Sequence, residues 1–281
     1  MDDLDSDIDV EVTVTVGLPL FRARDIAWLA LESLCNQIDA PRWELIICEE
    51  TDLKFDPFGE DHINRYYDRL VAANCVNILY VPLSMWIPLS YKWKLITENS
   101  YGKIMLLQAA DCYSQPYRIK ETWQLMKNKN NADWCQSKKG YFYSIANEKI
   151  YIFNAEKIDH PCALNMAYQV DIGKELPEEP VTKSVDKWLF RSLEKIKGKP
   201  LRVKLNRSQH WRKGIDSHGL GNISKMRETS FEKSDIWTES DINLSNIIPI
   251  EYVFRLKLLK PNVRKDWDYR PWTKDEKNYR Q

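Results

Sequence analysis

The feature that most constrains the fold of this chain is an alternation of strand and helix patterns that begins near its N-terminus. Over residues 10–16, valine alternates with polar side chains, which is the period-two pattern of a half-buried strand. Over 25–35, apolar side chains recur every three or four residues and predict a helix, and the short apolar run 43–48 predicts a buried strand. A strand, a helix and a strand in this order form a βαβ unit, in which the two strands are parallel.

The same alternation continues along most of the chain. It predicts helices over 61–74, 90–100, 116–127, 184–195 and 249–258, strands over 76–81 and 103–108, and a strand or hairpin over 141–153. Residues 207–230 are rich in glycine, serine, asparagine and charge, and we predict a long functional loop there. The expected fold is α/β: a doubly wound, mostly parallel central sheet flanked by helices, with an irregular C-terminal extension. Such sheets bind ligands at the carboxyl ends of their strands.

Composition is typical of a folded, intracellular protein. The hydrophobic fraction of 43% excludes wholesale disorder, and no stretch approaches the roughly 20 apolar residues that a membrane-spanning helix needs. The acidic N-terminus does not resemble a secretion signal. Six cysteines without a CxxC pair indicate buried thiols in a reducing compartment. We therefore expect no membrane span and a cytoplasmic location, which for a viral chain is the host cytoplasm.

Charge is unevenly distributed although the formal net charge is zero. Residues 1–60 carry 15 acidic and 4 basic side chains, whereas residues 198–281 carry 18 basic and 11 acidic ones. A cationic C-terminal third could face the phosphates of a nucleotide or a nucleic acid, or it could be a solvated surface that balances the acidic front. The sequence leaves both interpretations open.

The opening of the chain also resembles a known family. Residues 14–37 join a strand, a proline-containing turn and an Ala-Leu-Glu-Ser-Leu helix, and the strand 43–48 then ends in the acidic pair Glu49 and Glu50. This order and spacing resemble the start of GT-A-fold glycosyltransferases of the family-2 type. Further on, Asp111 stands where that family has a Leu-Asp-x-Asp-Asp motif.

Two later positions extend the resemblance, which covers about residues 12–230. Asp186 lies where the family places a catalytic acid ahead of a helix, and His218 lies in a segment similar to the family's late histidine-bearing loop. The resemblance implies a GT-A-like fold and a nucleotide-sugar donor as the partner, most simply a uridine diphosphate sugar. It also implies transfer to an acceptor hydroxyl with inversion.

These observations predict a division of the chain into three parts. An acidic disordered tail covers 1–9, a GT-A-like catalytic domain covers 10–230, and a basic, aromatic extension covers 231–281. The catalytic domain is divided in turn into a nucleotide-binding half, 10–115, and an acceptor half, 116–230.

The resemblance implies a donor site at the ends of the early strands. Pro19, Leu20 and Phe21 occupy the turn after the first strand, where the phenyl ring could lie against the nucleotide base. Carboxylates at Glu49 and Glu50 would accept hydrogen bonds from the imide N–H of the base and from ribose hydroxyls. The other implied donor contacts are Lys92, Lys94, Ala110, Asp111, Lys225 and Arg227.

The basic members of this set would face the diphosphate. Lys92 and Lys94 point about 200° apart on a helix, so one of the two is expected to face the site. Lys225 and Arg227 belong to the glycine-bearing segment 207–230, which we expect to close over the diphosphate and exclude water.

A divalent cation, Mn²⁺ or Mg²⁺, is the cofactor that the resemblance implies. The family holds it with an Asp-x-Asp motif, but Gln108 and Ala110 replace the first two acids here and leave Asp111. Asp111, His218 and donor phosphates would hold the cation weakly, because a hard cation prefers several oxygen ligands. A metal-independent site that uses lysine or arginine remains open.

Asp186 is the candidate base that takes the proton of the acceptor hydroxyl. The residues alone favour a helix N-cap at this position, because Ser-Val-Asp precedes an apolar helical run. The resemblance favours catalysis. Asp111 has a similar alternative, since a loop acid before a helix would have the same appearance.

The acceptor and the second candidate function also remain open. The acceptor is either a saccharide or a modified DNA base, as in viral hypermodification, because 257–272 interleaves basic and aromatic residues. That segment could equally pack its tryptophans onto the domain. Alternatively, the chain is a catalytically degenerate GT-A domain that binds a nucleotide sugar or a nucleic acid, which the loss of two acids from the metal motif favours.

Overall fold

The computed structural model describes residues 11–21, 23–51, 57–128, 132–137, 139–144, 148–154, 166–181, 185–203, 215–218 and 237–258. The helices are α1 (Ala27–Cys35), α2 (Glu60–Asn64), α3 (Tyr67–Ala72), α4 (Leu89–Glu98), α5 (Arg118–Asn128), α6 (Val170–Lys174), α7 (Val185–Lys197) and α8 (Ile250–Leu258). The strands are β1 (Val14–Leu20), β2 (Trp43–Glu50), β3 (Cys75–Leu83), β4 (Ile104–Leu107), β5 (Cys112–Tyr113), β6 (Trp134–Ser137), β7 (Lys139–Ser144), β8 (Lys149–Asn154), β9 (Met166–Gln169), β10 (Leu201–Val203), β11 (Ile215–His218) and β12 (Trp237–Ser240).

The main sheet has seven strands in the order β10-β6-β9-β4-β1-β2-β3. Neighbouring strands are parallel from β4 through β1 and β2 to β3. Strand β9 is antiparallel to both of its neighbours, and β10 is parallel to β6. Six strands therefore point one way and one points the other way, which confirms the predicted mostly parallel central sheet.

Apolar layers cover both faces of this sheet, because the side chains of each strand alternate between them. In β2, Leu45 and Ile47 belong to one core cluster and Ile46 and Cys48 to the other. Helices α1, α5 and α8 contribute to the first cluster, and α4, α6 and α7 contribute to the second. This arrangement explains why 43–48 is almost fully apolar: a strand buried on both faces has no side that water reaches.

A second sheet of five strands has the order β12-β8-β7-β11-β5. Its strand β5 follows β4 after four residues, so this sheet begins at the carboxyl edge of the main sheet. Strand β11, Ile215–His218, lies inside the segment 207–230 that was predicted to be a loop, and that prediction is wrong for these four residues. Strand β11 is short and mostly polar, so it has no clear sequence pattern. Its pairing with β7 and β5 brings together residues that are distant in the sequence.

Strand β1 begins and ends about four residues later than its valine pattern predicts. The expected stop at Gly17 and Pro19 does not occur, and the strand continues to Leu20. Gly17 is the last residue of β1 that pairs with β4. Pro19 therefore lies beyond the end of β4, where its missing N–H breaks no ladder bond.

The C-terminal segment 237–258 packs against the domain. The predicted helix over 249–258 is confirmed as α8, and its Tyr252 hydroxyl donates a hydrogen bond of 2.9 Å to Glu32 on α1. The Asn36 side chain donates to the same hydroxyl at 3.1 Å. The predicted acidic tail 1–9 lies outside the described residues, and the domain boundaries stay a prediction. Among the described helices, none has the length and hydropathy needed to cross a membrane.

A buried carboxylate organises the amino edge of the main sheet. Glu44 is fully buried and accepts hydrogen bonds from the Thr15 hydroxyl at 2.6 Å and from the Asn77 amide at 3.1 Å. The backbone N–H of Gly102 also donates to Glu44, at 2.9 Å. This contact brings the backbone of Gly102 so close to β1 that a Cβ atom there would lie 2.5 Å from Thr15 Oγ1 and 2.6 Å from the Thr15 nitrogen.

We predict that Gly102→Ala lowers the free energy of unfolding by about 2–3 kcal/mol, because the added methyl group meets backbone that cannot move independently. Gly17→Ala is the matched control, since its Cβ would meet the Ile96 methyl group at 2.8 Å, and a side chain can rotate away. Urea unfolding measures both variants. Equal midpoints for Gly102→Ala and the wild type would contradict the close approach.

Candidate functional site

The carboxyl ends of three neighbouring parallel strands converge at one edge of the main sheet. Strand β1 lies between β2 and β4, so the end of β1 at Leu20 lies beside the end of β2 at Glu50 and the segment that follows Leu107. In open α/β sheets this edge is where ligands bind. The side chains that follow each strand therefore define the candidate site.

A buried ion pair joins two of these strand ends to helix α4. Lys92 is 2% exposed, and its ammonium group donates to the Glu50 carboxylate and, at 2.7 Å, to the carbonyl oxygen of Leu20. The Phe21 ring centroid lies 5.5 Å from the same ammonium group. Lys92 thus contacts three other residues that the sequence assigned to the donor site.

The two oxygens of Glu50 have different surroundings. Its Oε2 accepts from Lys92, whereas Oε1 is buried and has no well-formed hydrogen bond with the described residues, although the backbone N–H groups of Glu50 and Ile87 lie close enough to the carboxylate to favour its ionised form. Burial raises the pKa of Glu50 and lowers the pKa of Lys92, and the opposite charge of each group partly offsets the shift in the other. A buried acceptor without a well-formed hydrogen bond is costly to folding, which makes Oε1 unusual among the buried polar atoms of the described chain.

The neighbouring Glu49 has a different environment. Its two carboxylate oxygens accept from the backbone N–H of Phe58 at 2.7 Å and of Gly59 at 2.9 Å, and from the Tyr80 hydroxyl at 3.0 Å. Glu49 is fully buried. Its carboxylate therefore fixes the turn at Phe58 and Gly59. Its oxygens already accept hydrogen bonds from three donors within the protein.

The segment after β4 contains a buried polar network that the sequence did not indicate. The Gln108 carbonyl oxygen accepts from the Ser114 hydroxyl and, at 2.7 Å, from Arg118, while its amide group donates to the Cys112 carbonyl at 2.6 Å. Arg118 is 2% exposed and also donates to the carbonyl oxygen of Leu107 at 2.6 Å. Gln108 thus points into the protein, and its Oε1 oxygen already has two donors.

Asp111 follows this network and is half-buried. Burial raises its pKa to about 6, and the Cys112 thiol lies 3.8 Å from its Oδ1. Functional sites often contain a carboxylate whose ionised form is disfavoured by its surroundings. Ala110 beside it is half-buried and offers no side-chain donor or acceptor.

The topology places Asp186 at the same edge. Asp186 is the second residue of α7, and the C-terminal end of that helix reaches the amino edge, where the Trp134 indole N–H donates to the Gly198 carbonyl at 3.0 Å. Since α7 precedes a strand parallel to β1, its N-terminus lies at the carboxyl edge. Asp186 is half-buried there.

Strand β11 brings the backbone of His218 toward Asp111. In the antiparallel register, Ile215 pairs with Tyr113 and Asp216 pairs with Cys112, so the following residues of β11 extend in the direction of Asp111. His218 is the last residue of that strand.

Of the remaining assigned residues, Lys94 lies outside this cluster and Pro19 lies next to Leu20. Lys94 occupies the face of α4 that packs against 174–181, where its ammonium group donates to the Leu176 carbonyl at 3.2 Å and lies 3.5 Å from the Glu178 carboxylate. It is on the opposite side of α4 from Lys92, as helical geometry requires. Pro19 is half-buried in β1. Lys225 and Arg227 lie outside the described residues.

The described donor set does not fit a tightly bound divalent cation. Asp111 is one carboxylate, Ala110 has no ligand atom, and the Gln108 oxygen already accepts two hydrogen bonds. No cluster of three or more His, Cys, Asp or Glu side chains with metal-binding geometry occurs in the part of the chain that the structure describes. Hard cations bind through several oxygen ligands, which these residues do not supply.

We predict that Lys92→Met lowers the free energy of unfolding by about 3 kcal/mol, because it leaves a buried carboxylate without its cation. Adding Glu50→Gln should restore part of that loss, so the double variant costs less than the sum of the single ones. Lys94→Met is the control on the same helix and should cost about 1 kcal/mol or less, since its ion pairs are with exposed acids. Additive losses in urea unfolding would contradict the pairing.

We also predict that Asp111→Asn stabilises the protein above pH 6. The folded-state pKa of about 6 exceeds the usual value of 3.8, so the folded state holds the proton more tightly than the unfolded chain does. Ionisation of Asp111 therefore lowers stability as the pH rises from 4 to 6. The gain for Asp111→Asn should be roughly 1–3 kcal/mol at pH 7.5 and absent near pH 4. Thermal unfolding at both pH values measures it, with Asp61→Asn at an exposed position as the control for loss of a charge.

Comparison with known sequences gives no match: no protein-family model and no curated protein matches this chain. Comparison with solved structures gives several. S. aureus TarS 1-349 in complex with UDP-GlcNAc is similar over 79% of this chain and 64% of its own, with 13% identity and a TM-score of 0.58. S. aureus TarS is similar over 74% of this chain and 37% of its own, with 12% identity and a TM-score of 0.56.

A third similar structure comes from another organism and contains another donor. Mannosyltransferase PcManGT from Pyrobaculum calidifontis, in complex with GDP-Man and Mn²⁺, is similar over 75% of this chain and 58% of its own, with 11% identity and a TM-score of 0.52. The chain thus spans less than two thirds of each of these three solved chains. At identities of 11–13%, the similarity concerns the fold, and the chain has the GT-A-like fold that its opening residues predicted.

Proposed function

We propose that this chain transfers a sugar from a nucleotide-diphosphate donor, a UDP sugar in the first instance, to an acceptor hydroxyl with inversion at the anomeric carbon. The observation that supports this most is the cluster of Glu50, Lys92, Leu20 and Phe21 at the strand ends, in which Oε1 of Glu50 is buried without a well-formed hydrogen bond. Similar folds with bound UDP-GlcNAc and GDP-Man support the donor class.

In this proposal the cluster binds the nucleoside part of the donor. Glu50 Oε1 accepts a hydrogen bond from the imide N–H of the base or from a ribose hydroxyl, which satisfies the buried acceptor. Lys92 keeps Glu50 oriented and fixes the end of β1, so Phe21 can lie against the base. Glu49 holds the adjacent turn rather than the donor, because its oxygens already have three donors.

Asp186 acts as the base in this mechanism. It takes the proton from the acceptor hydroxyl as that oxygen attacks the anomeric carbon, while the bond between the anomeric carbon and the diphosphate oxygen breaks and its electron pair stays on the diphosphate. A single displacement of this kind inverts the anomeric centre. We propose Lys225 and Arg227 as the cations that stabilise the departing diphosphate.

The proposed function does not require a divalent cation. The similar mannosyltransferase complex contains Mn²⁺, and the sequence suggested Mn²⁺ or Mg²⁺ at Asp111 and His218. The described residues supply one carboxylate, so a cation at this position would depend on donor phosphates for its other ligands. The acceptor likewise stays a saccharide hydroxyl or a hydroxyl on a modified DNA base.

A second candidate function is a binding module that recognises a nucleotide sugar without turning it over. The Gln108–Arg118 network favours it, because it fills the position of an expected acid with a buried amide. Both functions require the cluster at the strand ends to bind the donor, but only the transferase requires Asp186 to accept a proton.

The test uses the purified full chain with a panel of UDP and GDP sugars, with MnCl₂ or with EDTA. We expect donor binding in calorimetry and slow release of free nucleoside diphosphate even without an acceptor. Asp186→Asn should lower turnover about 10³-fold and leave the donor Kd within about threefold. Glu194→Gln, at an exposed position of the same helix, is the matched control and should change neither quantity.

Three outcomes would count against parts of the proposal. Donor binding without turnover in the wild type would support the binding module instead. Equal turnover of Asp186→Asn and the wild type would remove Asp186 from the base role. Absence of binding by every nucleotide sugar at millimolar concentration would remove the donor site itself.

A further inference from the structure

A cavity lies on the flank of the domain, and the residues that line it are different from those of the cluster at the strand ends. It has a volume of about 630 Å³ and lies between α1, the turn at Phe58, the helices α2 and α3, and the C-terminal helix α8. Glu50, Lys92, Phe21 and Asp111 do not line it. Its size suits a small-molecule ligand, since such sites commonly measure about 300–1,000 Å³. We call it the flank cavity.

Positive charge dominates this cavity. Four arginines line it, against two acids: Arg24, Arg65, Arg69 and Arg255 against Asp25 and Glu32. Glu32 is compensated, because Arg69 donates to its carboxylate at 2.6 Å and the Tyr252 hydroxyl donates to it at 2.9 Å. Burial acts to raise the pKa of Glu32, but these hydrogen bonds outweigh it and hold the pKa below its usual range. Glu32 is therefore already paired.

One arginine of the cavity is held in a fixed orientation. The Arg255 guanidinium lies over the Trp28 indole at 3.8 Å from the ring centroid. Trp28 is 2% exposed, and its indole N–H donates to the Asp25 carbonyl at 2.9 Å, so the ring cannot turn. A guanidinium stacked on a rigid ring keeps its N–H donors in one plane and directed outward.

Arg255 and Arg65 could donate hydrogen bonds from their guanidinium N–H groups to a ligand. Both residues are exposed, and neither forms an ion pair with an acid in the described part of the chain. Arg24 reinforces the opposite side of the cavity, where it donates to the Pro57 carbonyl at 3.1 Å. Arg65 and Arg255 thus present guanidinium groups that form no ion pair with a described acid, and such planar groups bind anions with several oxygens.

We propose that the flank cavity is a binding site for a phosphate mono- or diester, held between the Arg65 and Arg255 guanidinium groups. A phosphate fits better than a carboxylate, because its three or four oxygens can engage two guanidinium forks at once, whereas a carboxylate has two oxygens. The phosphate comes either from a small phosphate ester or from the backbone of a single-stranded nucleic acid. The proposal is independent of the function proposed above, since it uses different residues.

The first arm of the test uses inorganic phosphate as the probe. Phosphate at 20 mM should raise the Tm of the full chain by about 2 °C relative to sodium chloride and sodium acetate at equal ionic strength. Arg255→Gln and Arg65→Gln should remove that rise. Arg255→Lys should remove it as well, because lysine keeps the charge but lacks the planar fork.

The matched control is Lys257→Gln, which removes one positive charge from the same helix two residues away. Lys257 is exposed, forms an ion pair of 2.6 Å with Glu148 and does not line the flank cavity. It should keep the rise in Tm. Melting curves without phosphate verify that each variant is folded, and Arg65→Gln tests the site even where the loss of the Trp28 stack destabilises Arg255→Gln.

The second arm distinguishes the two sources of the phosphate. A fluorescein-labelled ten-nucleotide oligothymidylate is titrated with each protein, and binding is followed by fluorescence anisotropy. For a nucleic-acid site, we expect Arg255→Gln and Arg65→Gln to weaken binding about fivefold or more and Lys257→Gln to weaken it less than twofold. A phosphate response without oligonucleotide binding identifies a small phosphate ester.

Two results would overturn the proposal. One is a rise in Tm with phosphate that is equal in the wild type and in the Arg255 and Arg65 variants, because phosphate would then bind elsewhere. The other is the absence of both the rise in Tm and oligonucleotide binding in the wild type. Neither result bears on donor binding, which calorimetry with the panel of nucleotide sugars reports separately.

Discussion

The buried pair of Lys92 and Glu50 is the interaction on which the candidate site depends. It connects helix α4 to the ends of two adjacent strands, because the same ammonium group also binds the carbonyl of Leu20. Two charges removed from water would destabilise the fold without this mutual contact. The pair therefore keeps the strand ends in a fixed relation, with the second carboxylate oxygen of Glu50 buried beside them.

The segment after β4 shows how a fold can keep its shape while its chemistry changes. Gln108 occupies the position of an expected acid, and Arg118 and Ser114 fill its hydrogen-bonding capacity. A carboxylate there would have faced the protein interior beside a cation rather than a ligand. Asp111, the one acid of the motif that remains, lies beyond this network and is half-buried with a raised pKa.

Much of the fold followed from local periodicity, and the site followed only in part. The parallel strands of the first half were predictable because β2 and β4 are apolar on both faces, and the helices between them have a three- or four-residue repeat. The short strands β9 and β11 were not, since four residues carry no clear period and their pairing depends on distant partners. Lys92 and Glu50 were identified through the resemblance, but their contact depends on tertiary structure that no spacing in the sequence shows.

The sequence predicted neither the flank cavity nor the contact between Gln108 and Arg118, for the same reason. Arg255 and Trp28 are more than two hundred residues apart in the chain, and nothing in either neighbourhood indicates that they stack. Arg118 begins α5 next to its apolar face, and an arginine in a helix's first turn normally indicates a surface position. A spacing of four residues between Ser114 and Arg118 was the only local hint of their contact.

Glu49 has a consequence for any redesign of the strand ends. Its carboxylate spans from β2 to two consecutive backbone amides of the turn at Phe58, and that turn lines the flank cavity. An aspartate would be one methylene shorter and could not reach both amides from the same backbone position. Variation at position 49 would therefore alter the flank cavity as well as the strand end, whereas position 50 can be varied, with its lysine partner, without moving that turn.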